Sequence, residues 1–329
     1  MYDTSGLPLA ELHIHIEGSL EPELVFALAE RNGIELPWES VGQLRSLQEF
    51  DDLQSFLDLY YRCMDVLRTA DDFRDLVLAY FRRAHAEGVR HAELFFDPQA
   101  HTSRGVAIDD VLDGLTAGLE LARGELDITG GLILCILRDL PVGAALETLA
   151  SVEHRVGDLI GLGLDSAELG HPPALFAPVY DRARELGLRL VAHAGEEGPA
   201  SYVSEALDVL GVERVDHGVR CLEDDDLVAR LRDEAVPLTV CPFSNVRLKV
   251  VGSLAEHPLK RMLDAGLLVT VNSDDPAYFG GYLGANLAGI SDALQLSREE
   301  VRRLAANSVT ASFAPAARKE ELSAQIAVW

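Results

Sequence analysis

Eight short apolar segments recur along the 329-residue chain, and they constrain its fold more than any other feature. In chain order they read AELHIHI, RHAELFF, GLILCIL, IGLGLDSAE, LRLVAHAG, RVDHGV, PLTVCPF and LLVTVNSDDP. Each has the length of a buried strand, and stretches with helical spacing, such as FRDLVLAYFRRAHAEG and PALFAPVYDRARELG, lie between them. Strands that alternate with helices predict a parallel sheet with helical crossovers.

The number of these units favours a closed barrel. Eight strand–helix units in about 280 residues fit an α/β fold of the (β/α)8 TIM-barrel type better than an open doubly wound sheet. No G-x-G-x-x-G motif follows a predicted strand, which disfavours a dinucleotide-binding sheet. No linker, repeat or low-complexity tract divides residues 1–329, so we expect one barrel domain.

Two parts of the chain lie outside the eight units. Between Ile34 and Ala70, the stretch QEFDDLQSFLDLYYRCMDVL predicts extra helix after the first strand, which in a barrel lies over the catalytic mouth. Its apolar side chains at helical spacing belong either to the core or to a pocket wall; they are Phe56, Leu59, Tyr60 and Met64. The tail from Gly284 to Trp329 also reads as helix, and Ser297–Glu300 has the pattern of a capping box.

Composition narrows the partners and the compartment. The formal net charge of −26 repels nucleic-acid phosphates and anionic membranes, so we expect a small-molecule partner, without nucleic acid or membrane. The four cysteines are far apart, which is typical of a reducing compartment. The N-terminus has no basic region followed by an apolar core, and no apolar run approaches the ~18 residues of a spanning helix. These features predict a cytoplasmic location.

Polar side chains occupy the ends of four predicted strands. His13 and His15 alternate with isoleucines in the first strand, so both face the barrel interior. The polar residues at the other three ends are His193 and Glu196 on the fifth strand, Asp216 and His217 on the sixth, and Asp274 and Asp275 on the eighth. Each alone is explained by a helix cap or a turn. Barrel active sites are assembled at strand carboxyl ends, so four such ends together indicate a catalytic site.

Three imidazoles and one carboxylate among these residues form a ligand set suited to zinc. The set consists of His13, His15, His193 and Asp274. A metal ion lowers the pKa of its bound water from about 15.7 to about 7, so the pattern predicts a hydrolytic site. In such a site His217 either orients or deprotonates the water, and Glu196 carries a proton if burial keeps its carboxyl protonated. Asp275, next to a ligand, is placed to hydrogen-bond the substrate.

We predict one Zn²⁺ per chain. Many hydrolases of this barrel type hold two metals bridged by a modified lysine on the fourth strand, but the predicted fourth strand, IGLGLDSAE, contains no lysine. A binuclear phosphotriester- or amide-hydrolysing barrel is disfavoured for the same reason. The other zinc-deaminase pattern, H-x-E with P-C-x-x-C, does not occur in the sequence.

The motifs HIHIEG, HAGE, DHG and NSDDP occur in this order and resemble those of the adenosine/adenine deaminases of the metal-dependent hydrolase superfamily. The resemblance runs from about Leu7 to the C-terminus. It implies a zinc-dependent (β/α)8 enzyme that replaces the 6-amino group of a purine by oxygen and releases ammonia. By position it implies the four ligands given above, among which Asp274 also serves catalysis. It further implies Glu196 as the acid at purine N1, His217 as the residue that positions the water, and Asp275 as the partner of N7.

One motif departs from the adenosine-specific members, in which it reads H-x-H-x-D-G and the aspartate helps to bind ribose. Glu17 stands there in this chain, and it either intrudes on the sugar pocket or accepts a hydrogen bond from the N9–H of free adenine. The stretches FFDPQAHT, LDSAELGHPP and CPFSNVRLKV resemble the adenine deaminase branch, so we expect adenine to be converted to hypoxanthine in purine salvage. Ser166 and Glu168 lie where the family approaches the N3/N9 edge, although Glu168 is equally explained as a helix N-terminal carboxylate.

Three alternatives stay open at this level. In the first, the substrate is adenosine. In the second, it is an N6-substituted adenine or another 6-aminopurine. Turnover on adenine, adenosine and N6-methyladenine distinguishes these two from deamination of adenine. The third alternative is a metal-bound but inactive purine-binding barrel. It is disfavoured because every one of the seven expected polar positions carries a suitable residue type.

Overall fold

Eight strands alternate with helices in the structure, a computed structural model that describes residue 4 and residues 6–329. Each strand overlaps one of the eight apolar segments. The strands are β1 Leu9–His15, β2 Val89–Phe96, β3 Thr129–Leu137, β4 Leu159–Asp165, β5 Arg189–Ala194, β6 Arg214–His217, β7 Pro237–Val240 and β8 Leu268–Val271.

Neighbouring strands pair in parallel, in the order β1 to β8. The last strand returns to the first through a parallel bridge between Ile14 and Asp274. At this seam the Asp274 N–H donates to the His13 carbonyl at 3.1 Å, and the His15 N–H donates to the Asp274 carbonyl at 3.0 Å. The strands therefore form a nearly closed (β/α)8 TIM barrel, and the predicted fold class is confirmed.

Helices surround the strands and also form both extensions of the barrel. They are α1 Pro22–Asn32, α2 Val41–Ser46, α3 Leu53–Cys63, α4 Ala70–Ala86, α5 Pro98–Thr102, α6 Ile108–Leu126, α7 Val142–Val152, α8 Ala177–Glu185, α9 Ala200–Glu205, α10 Asp225–Asp233, α11 Pro242–Arg247, α12 Leu259–Asp264, α13 Pro276–Phe279, α14 Leu283–Ala293, α15 Arg298–Ala311 and α16 Ala316–Val328. Of the helices described, none is both long and apolar enough to cross a bilayer.

The two helical extensions form where the sequence predicts them. After β1 the chain adds α2 and α3, and α3 is capped by Asp52, whose carboxylate accepts the Ser55 N–H at 2.8 Å. The tail consists of α14, α15 and α16. At the start of α15 the Ser297 hydroxyl accepts the Glu300 N–H, and the Glu300 carboxylate accepts the Ser297 N–H at 2.7 Å. The predicted capping box is therefore confirmed.

A buried ion pair ties β2 to β6 inside the barrel. Arg214, at the start of β6, donates to the Glu93 carboxylate of β2 at 2.6 Å. The same guanidinium donates to the Leu12 carbonyl of β1 at 3.1 Å, and the Phe313 ring covers it at 4.6 Å. Both charged side chains are fully buried. Three strands are thus held together by one cation toward their amino-terminal ends.

An apolar layer forms the floor beneath the polar end of the barrel. It consists of Phe95, Ile133, Cys135 and Val191, which come from β2, β3 and β5. The Phe95 ring lies 5.0 Å from the ring centre of His13. The histidines of β1 therefore pack against an apolar surface, where neighbouring protein groups set their charge states.

Candidate active site

All four predicted metal ligands lie at the carboxyl-terminal end of the barrel. His13 and His15 end β1, His193 lies at the end of β5, and Asp274 lies in the turn after β8. Residues i and i+2 of a strand share a face, so both β1 imidazoles point into the barrel. All four side chains are buried.

The ligand atoms converge on one point. His13 Nε2 lies 3.2 Å from Asp274 Oδ1, and His15 Nε2 lies 3.5 Å from the same oxygen. His15 Nε2 and His193 Nε2 are 3.3 Å apart. Ligand atoms bound 2.0–2.1 Å from a tetrahedral ion are separated by about 3.3 Å, so these spacings fit one shared metal ion.

Hydrogen bonds prepare His13 for a cation. Thr239 donates its hydroxyl hydrogen to Asp216 at 2.8 Å, so its oxygen accepts from His13 Nδ1–H at 2.9 Å. The other ring nitrogen, Nε2, is buried without a hydrogen-bond partner and its lone pair faces the Asp274 carboxylate. Two acceptors that face each other repel unless a positive charge lies between them. Burial alone would lower the pKa of His13, but Asp274 outweighs it and raises the pKa, which reflects the same demand for positive charge.

The remaining ligand imidazoles also have carboxyl groups behind them. His193 Nδ1 lies 3.8 Å from Asp216 Oδ2, and His15 Nδ1 lies 3.5 Å from Asp165 Oδ2. A carboxyl group that hydrogen-bonds a ligating imidazole fixes its tautomer and directs the other nitrogen to the metal. Asp216, predicted only as a strand-end residue, therefore lies behind two ligands, His193 directly and His13 through Thr239.

Burial keeps three imidazoles of the site neutral near pH 7. It lowers the pKa of His15 to about 4 and that of His217 to about 3, and burial beside His13 brings the pKa of His193 well below its usual range. Burial would raise the pKa of Asp274, but His13 and the other imidazoles hold it well below its usual range. Neutral imidazoles and an ionised carboxylate are the forms that bind a metal.

Three residues of the mouth adopt left-handed backbone conformations that non-glycine residues seldom adopt. They follow or end strands β4, β6 and β8, and their φ angles are 69° for Ser166, 61° for His217 and 63° for Asp274. Such conformations cost of order 1–3 kcal/mol each and cluster at functional sites. Here they turn the chain sharply at the ends of three alternate strands of the barrel.

Glu196 and His217 lie beside the ligand cluster. His217 Nε2 is 3.5 Å from Glu196 Oε2 and 3.8 Å from Asp274 Oδ2. Burial, with the charge of Asp274 nearby, raises the pKa of Glu196 well above its usual range. The protonated carboxyl that an acid catalyst needs is therefore favoured at this position.

A chain of hydrogen bonds selects the tautomer of His217. The Leu259 N–H donates to His257 Nδ1 at 3.1 Å, so the hydrogen of His257 is on Nε2, which donates to Asn245 Oδ1 at 3.2 Å. The Asn245 amide then donates to His217 Nδ1 at 3.4 Å. His217 consequently carries its hydrogen on Nε2, facing the cluster, so the geometry favours orienting the water over deprotonating it.

A cavity opens above the cluster. Helix α3 covers it with the side chains Leu53, Phe56, Leu57, Tyr60 and Tyr61. Of the apolar residues whose helical spacing left two readings, Phe56 and Tyr60 line the cavity, whereas Leu59 and Met64 pack against the core. The extra helix after β1 therefore forms a largely apolar roof over the polar floor.

The four predicted substrate contacts divide into two groups. Asp275 and Ser166 line the cavity, and each has a buried side-chain oxygen without a hydrogen-bond partner. Burial beside Asp274 raises the pKa of Asp275 well above its usual range. Glu17 and Glu168 do not line the cavity wall, and the structure places both behind it.

Glu17 supports the neighbouring strand ends. Its Oε1 accepts the Asp97 N–H at 3.1 Å and the His101 Nε2–H at 2.7 Å. Arg104 donates to the other nitrogen of His101 at 2.6 Å, which fixes that tautomer. With 1% exposure, Glu17 is not among the residues that line the cavity, and its other oxygen, Oε2, is buried without a hydrogen-bond partner among the described residues.

Glu168 anchors the loop that carries the acid. Its two oxygens accept four backbone N–H groups, from Gly195 at 2.6 Å and from Glu196, Glu197 and Gly198 at 2.8 to 3.1 Å. It does not begin a helix, so the structure offers a third explanation for this carboxylate besides base recognition and helix capping.

We expect Glu168→Gln to loosen this loop. The amide nitrogen that replaces one oxygen turns N–H groups toward backbone donors, and each unsatisfied buried donor costs about 1–3 kcal/mol. The free energy of unfolding in urea should fall by about that amount, and kcat should fall about tenfold because Glu196 moves. Glu205→Gln is the matched control, since that half-buried carboxylate accepts only the Ala174 N–H. Equal losses in both variants would contradict the role of Glu168.

Sequence analysis missed two carboxyls of the cavity wall. Asp97 follows β2 directly and Asp165 ends β4, and both line the cavity. Burial, with Asp165 close by, raises the pKa of Asp97 well above its usual range, and burial raises the pKa of Asp165 to about 7. The signal that revealed the other strand-end residues was present, because FFD and GLD place both carboxyls at strand ends.

Gly18 allows the β1 and β8 turns to meet. A Cβ atom at this position would lie 2.0 Å from Asp275 Oδ1 and 2.7 Å from the Asp275 Cα. Neither contact is tolerated, and the second involves backbone that cannot rotate away. The glycine after Glu17 is therefore required by the position of Asp275.

Fold and site together define an enzyme of the metal-dependent hydrolase class: a (β/α)8 barrel with three imidazoles and a carboxylate at its carboxyl-end mouth. The family model described as adenosine deaminase matches residues 8–329. The chain belongs to the adenosine deaminase family, and it is a hydrolase that acts on a C–N bond of a cyclic amidine. The resemblance seen in the motifs is thereby confirmed.

Individual relatives support the same placement. An adenine deaminase of Rhodospirillum rubrum is 56% identical over 98% of this chain and 96% of its own. The crystal structure of an adenine deaminase from Arthrobacter aurescens is 56% identical, covers 98% of both chains and has a TM-score of 0.96. A Burkholderia ambifaria amidohydrolase with bound Zn is 27% identical, covers 98% of this chain and 90% of its own, and has a TM-score of 0.90.

Proposed function

We propose that this enzyme hydrolyses adenine to hypoxanthine and ammonia, with one Zn²⁺ per chain. The observation that carries the proposal is the convergence of all seven predicted polar groups on one cavity mouth, in a chain 56% identical to an adenine deaminase over 98% of its length. We further propose that it does so as a single barrel domain, in purine salvage in the cytoplasm. Its net charge of −26 supports a small-molecule partner over nucleic acid.

The residues that would hold the metal are His13, His15, His193 and Asp274. Their donor types, their spacing and the unpartnered Nε2 of His13 fit a zinc ion. When bound, zinc supplies a water whose pKa is lowered to about 7, which makes it a nucleophile at neutral pH. Asp216 and Asp165 hold the imidazoles in the required orientation.

The chain's own residues then orient the base and move protons. Protonated Glu196 donates to N1, so that negative charge does not accumulate on the ring while water adds to C6. The Nε2–H of His217 and the Oδ2 of Asp274, 3.8 Å apart, hydrogen-bond the attacking water and fix its approach. Asp275, whose carboxyl is favoured in the protonated form, donates to N7. The ionised Asp274 takes one proton from the attacking water and passes it to the 6-amino group, which leaves as ammonia, and the second proton of the water returns to Glu196.

The roof that α3 forms limits the access of bulk water to the cavity during this exchange. Tyr60 and Phe56 of α3 lie over the mouth and leave an apolar surface for the faces of the base. A low-polarity roof strengthens the hydrogen bonds to N1 and N7 beneath it. It also gives a flat aromatic base a favourable environment, as small-molecule sites commonly do.

The proposal predicts the order of substrates. On zinc-loaded enzyme, kcat/KM for adenine should exceed that for adenosine by about 10³-fold or more, since a site built around a substrate N–H rejects an analogue that lacks it by such factors. N6-methyladenine keeps the N9–H, so its kcat/KM should fall below that for adenine by a smaller factor. Formation of the 6-oxo product is followed by absorbance. A chelator should abolish turnover, and metal analysis should give one zinc per chain after zinc restores it. A higher kcat/KM for adenosine or N6-methyladenine would show that this compound, and not adenine, is the substrate. Two metal ions per chain would instead support a binuclear mechanism.

A further inference from the structure

The polar groups of the cavity follow one another round the mouth in the order of the positions round a purine. From Glu196 after β5 the order passes the ligand cluster to Asp275 after β8, then to Asp97 after β2, and then to Asp165 and Ser166 at the end of β4. Round a purine the order is N1, C6, N7, N9 and N3. With Glu196 at N1 and Asp275 at N7, Asp97 faces N9 and the end of β4 faces N3.

The Asp97 carboxyl is held in a position where it can accept a hydrogen bond from a ligand. Its side chain is 2% exposed, lines the cavity, and has a buried Oδ1 without a hydrogen-bond partner. Its backbone N–H is held by Glu17 at 3.1 Å, and the next residue, Pro98, starts α5. Buried polar atoms without partners are rare in proteins, and a bound ligand is one explanation for them.

The chemistry at this edge is complementary to free adenine. The N9–H of the base is a donor and N3 beside it is an acceptor. A carboxyl oxygen of Asp97 accepts a hydrogen bond in either protonation state, and the Ser166 hydroxyl, also buried without a partner, donates one. The pair therefore satisfies both atoms of the N9–N3 edge.

We propose that Asp97, and not Glu17, reads the N9–H of adenine and restricts this enzyme to purines that are unsubstituted at N9. The proposal rests on the proposed function, because it requires the base to lie with C6 at the ligand cluster. Glu17 then acts as a positioning residue through the Asp97 backbone. A substituent at N9 removes the donor that Oδ1 needs and occupies the space that the carboxyl takes.

The test compares adenine with 9-methyladenine, which lacks only the N9–H. We expect Asp97→Ala to lower kcat/KM for adenine about 10- to 100-fold, as loss of one hydrogen bond to a carboxyl does. It should leave kcat/KM for 9-methyladenine unchanged or higher. Calorimetry on the zinc-loaded enzyme should show that the affinities for hypoxanthine and 9-methylhypoxanthine differ less in Asp97→Ala than in wild type. This measurement does not depend on turnover. Asp97→Asn, equal in size and still carrying an acceptor oxygen, should retain more of the preference than Asp97→Ala and guards against a folding defect.

Glu17→Gln is the matched control, because it keeps an oxygen for the Asp97 N–H. Its preference for adenine over 9-methyladenine should stay within about threefold of wild type. The proposal is overturned if Glu17→Gln removes the preference while Asp97→Ala keeps it, or if Asp97→Ala weakens both ligands equally. A wild-type enzyme that does not prefer adenine to 9-methyladenine would instead refute the proposed substrate.

Discussion

Glu196→Gln is expected to lower kcat for adenine by about 10²- to 10⁴-fold, the range by which a positioned acid accelerates a reaction. The amide has the size of the carboxyl and still donates a hydrogen bond to N1, but it cannot deliver a proton. KM should therefore change much less than kcat. Steady-state rates on enzyme of equal zinc content measure both quantities.

The adjacent carboxylate provides the control. Glu197 belongs to the same loop and donates its N–H to Glu168, but its side chain does not line the cavity. Glu197→Gln should keep kcat within about twofold of wild type. A kcat within tenfold of wild type for Glu196→Gln would assign proton delivery to another group.

Arg214→Met is expected to lower the free energy of unfolding by about 3–5 kcal/mol, the usual cost of removing one partner of a buried ion pair. The substitution leaves Glu93 inside the barrel without its cation, and it also removes the hydrogen bond to the Leu12 carbonyl. Urea unfolding at pH 7 measures the loss.

A double variant and the pH dependence test the cause. Adding Glu93→Gln to Arg214→Met should recover part of the loss, because no buried charge is then unpaired. Burial would raise the pKa of Glu93, but Arg214 and His91 outweigh it and bring the pKa from 4.5 to about 2. The contribution of the pair is therefore fully present above about pH 4.5 and is lost as the pH falls toward 2. The double variant should lose less stability over this window than wild type, and equal losses would contradict the assignment.

The strands were predictable from sequence because strands buried on both faces are continuous apolar runs. Their ends were not. The segment IGLGLDSAE continues to Glu168, whereas β4 ends at Asp165, and LLVTVNSDDP continues to Pro276, whereas β8 ends at Val271. The residues beyond each strand are the polar ones that turn into the mouth, and a local pattern does not distinguish the last strand residue from the first turn residue.

In the active site, too, some side-chain directions follow from the local sequence, whereas others depend on how distant segments pack together. The inward direction of His13 and His15 follows from alternation along one strand, so it could be read from sequence. Whether Glu17 or Asp97 reaches the cavity depends on how the β1 turn packs behind the β2 turn, which neither segment encodes alone. Likewise, Asp216 lies near His193 because β5 and β6 pair, and it is linked to His13 through Thr239 because β6 and β7 pair.

The contact between Gly18 and Asp275 limits how the substrate range of this barrel can evolve. Any side chain at position 18 displaces the group proposed to hold N7, so the turn after β1 is closed to mutational exploration while 6-aminopurine chemistry is kept. Positions 97 and 166, at the ends of β2 and β4, already carry side chains, so a substitution there adds no new Cβ atom to the backbone. New specificities should therefore arise from substitutions after β2 and β4, and lineages with altered base preference should retain glycine at position 18.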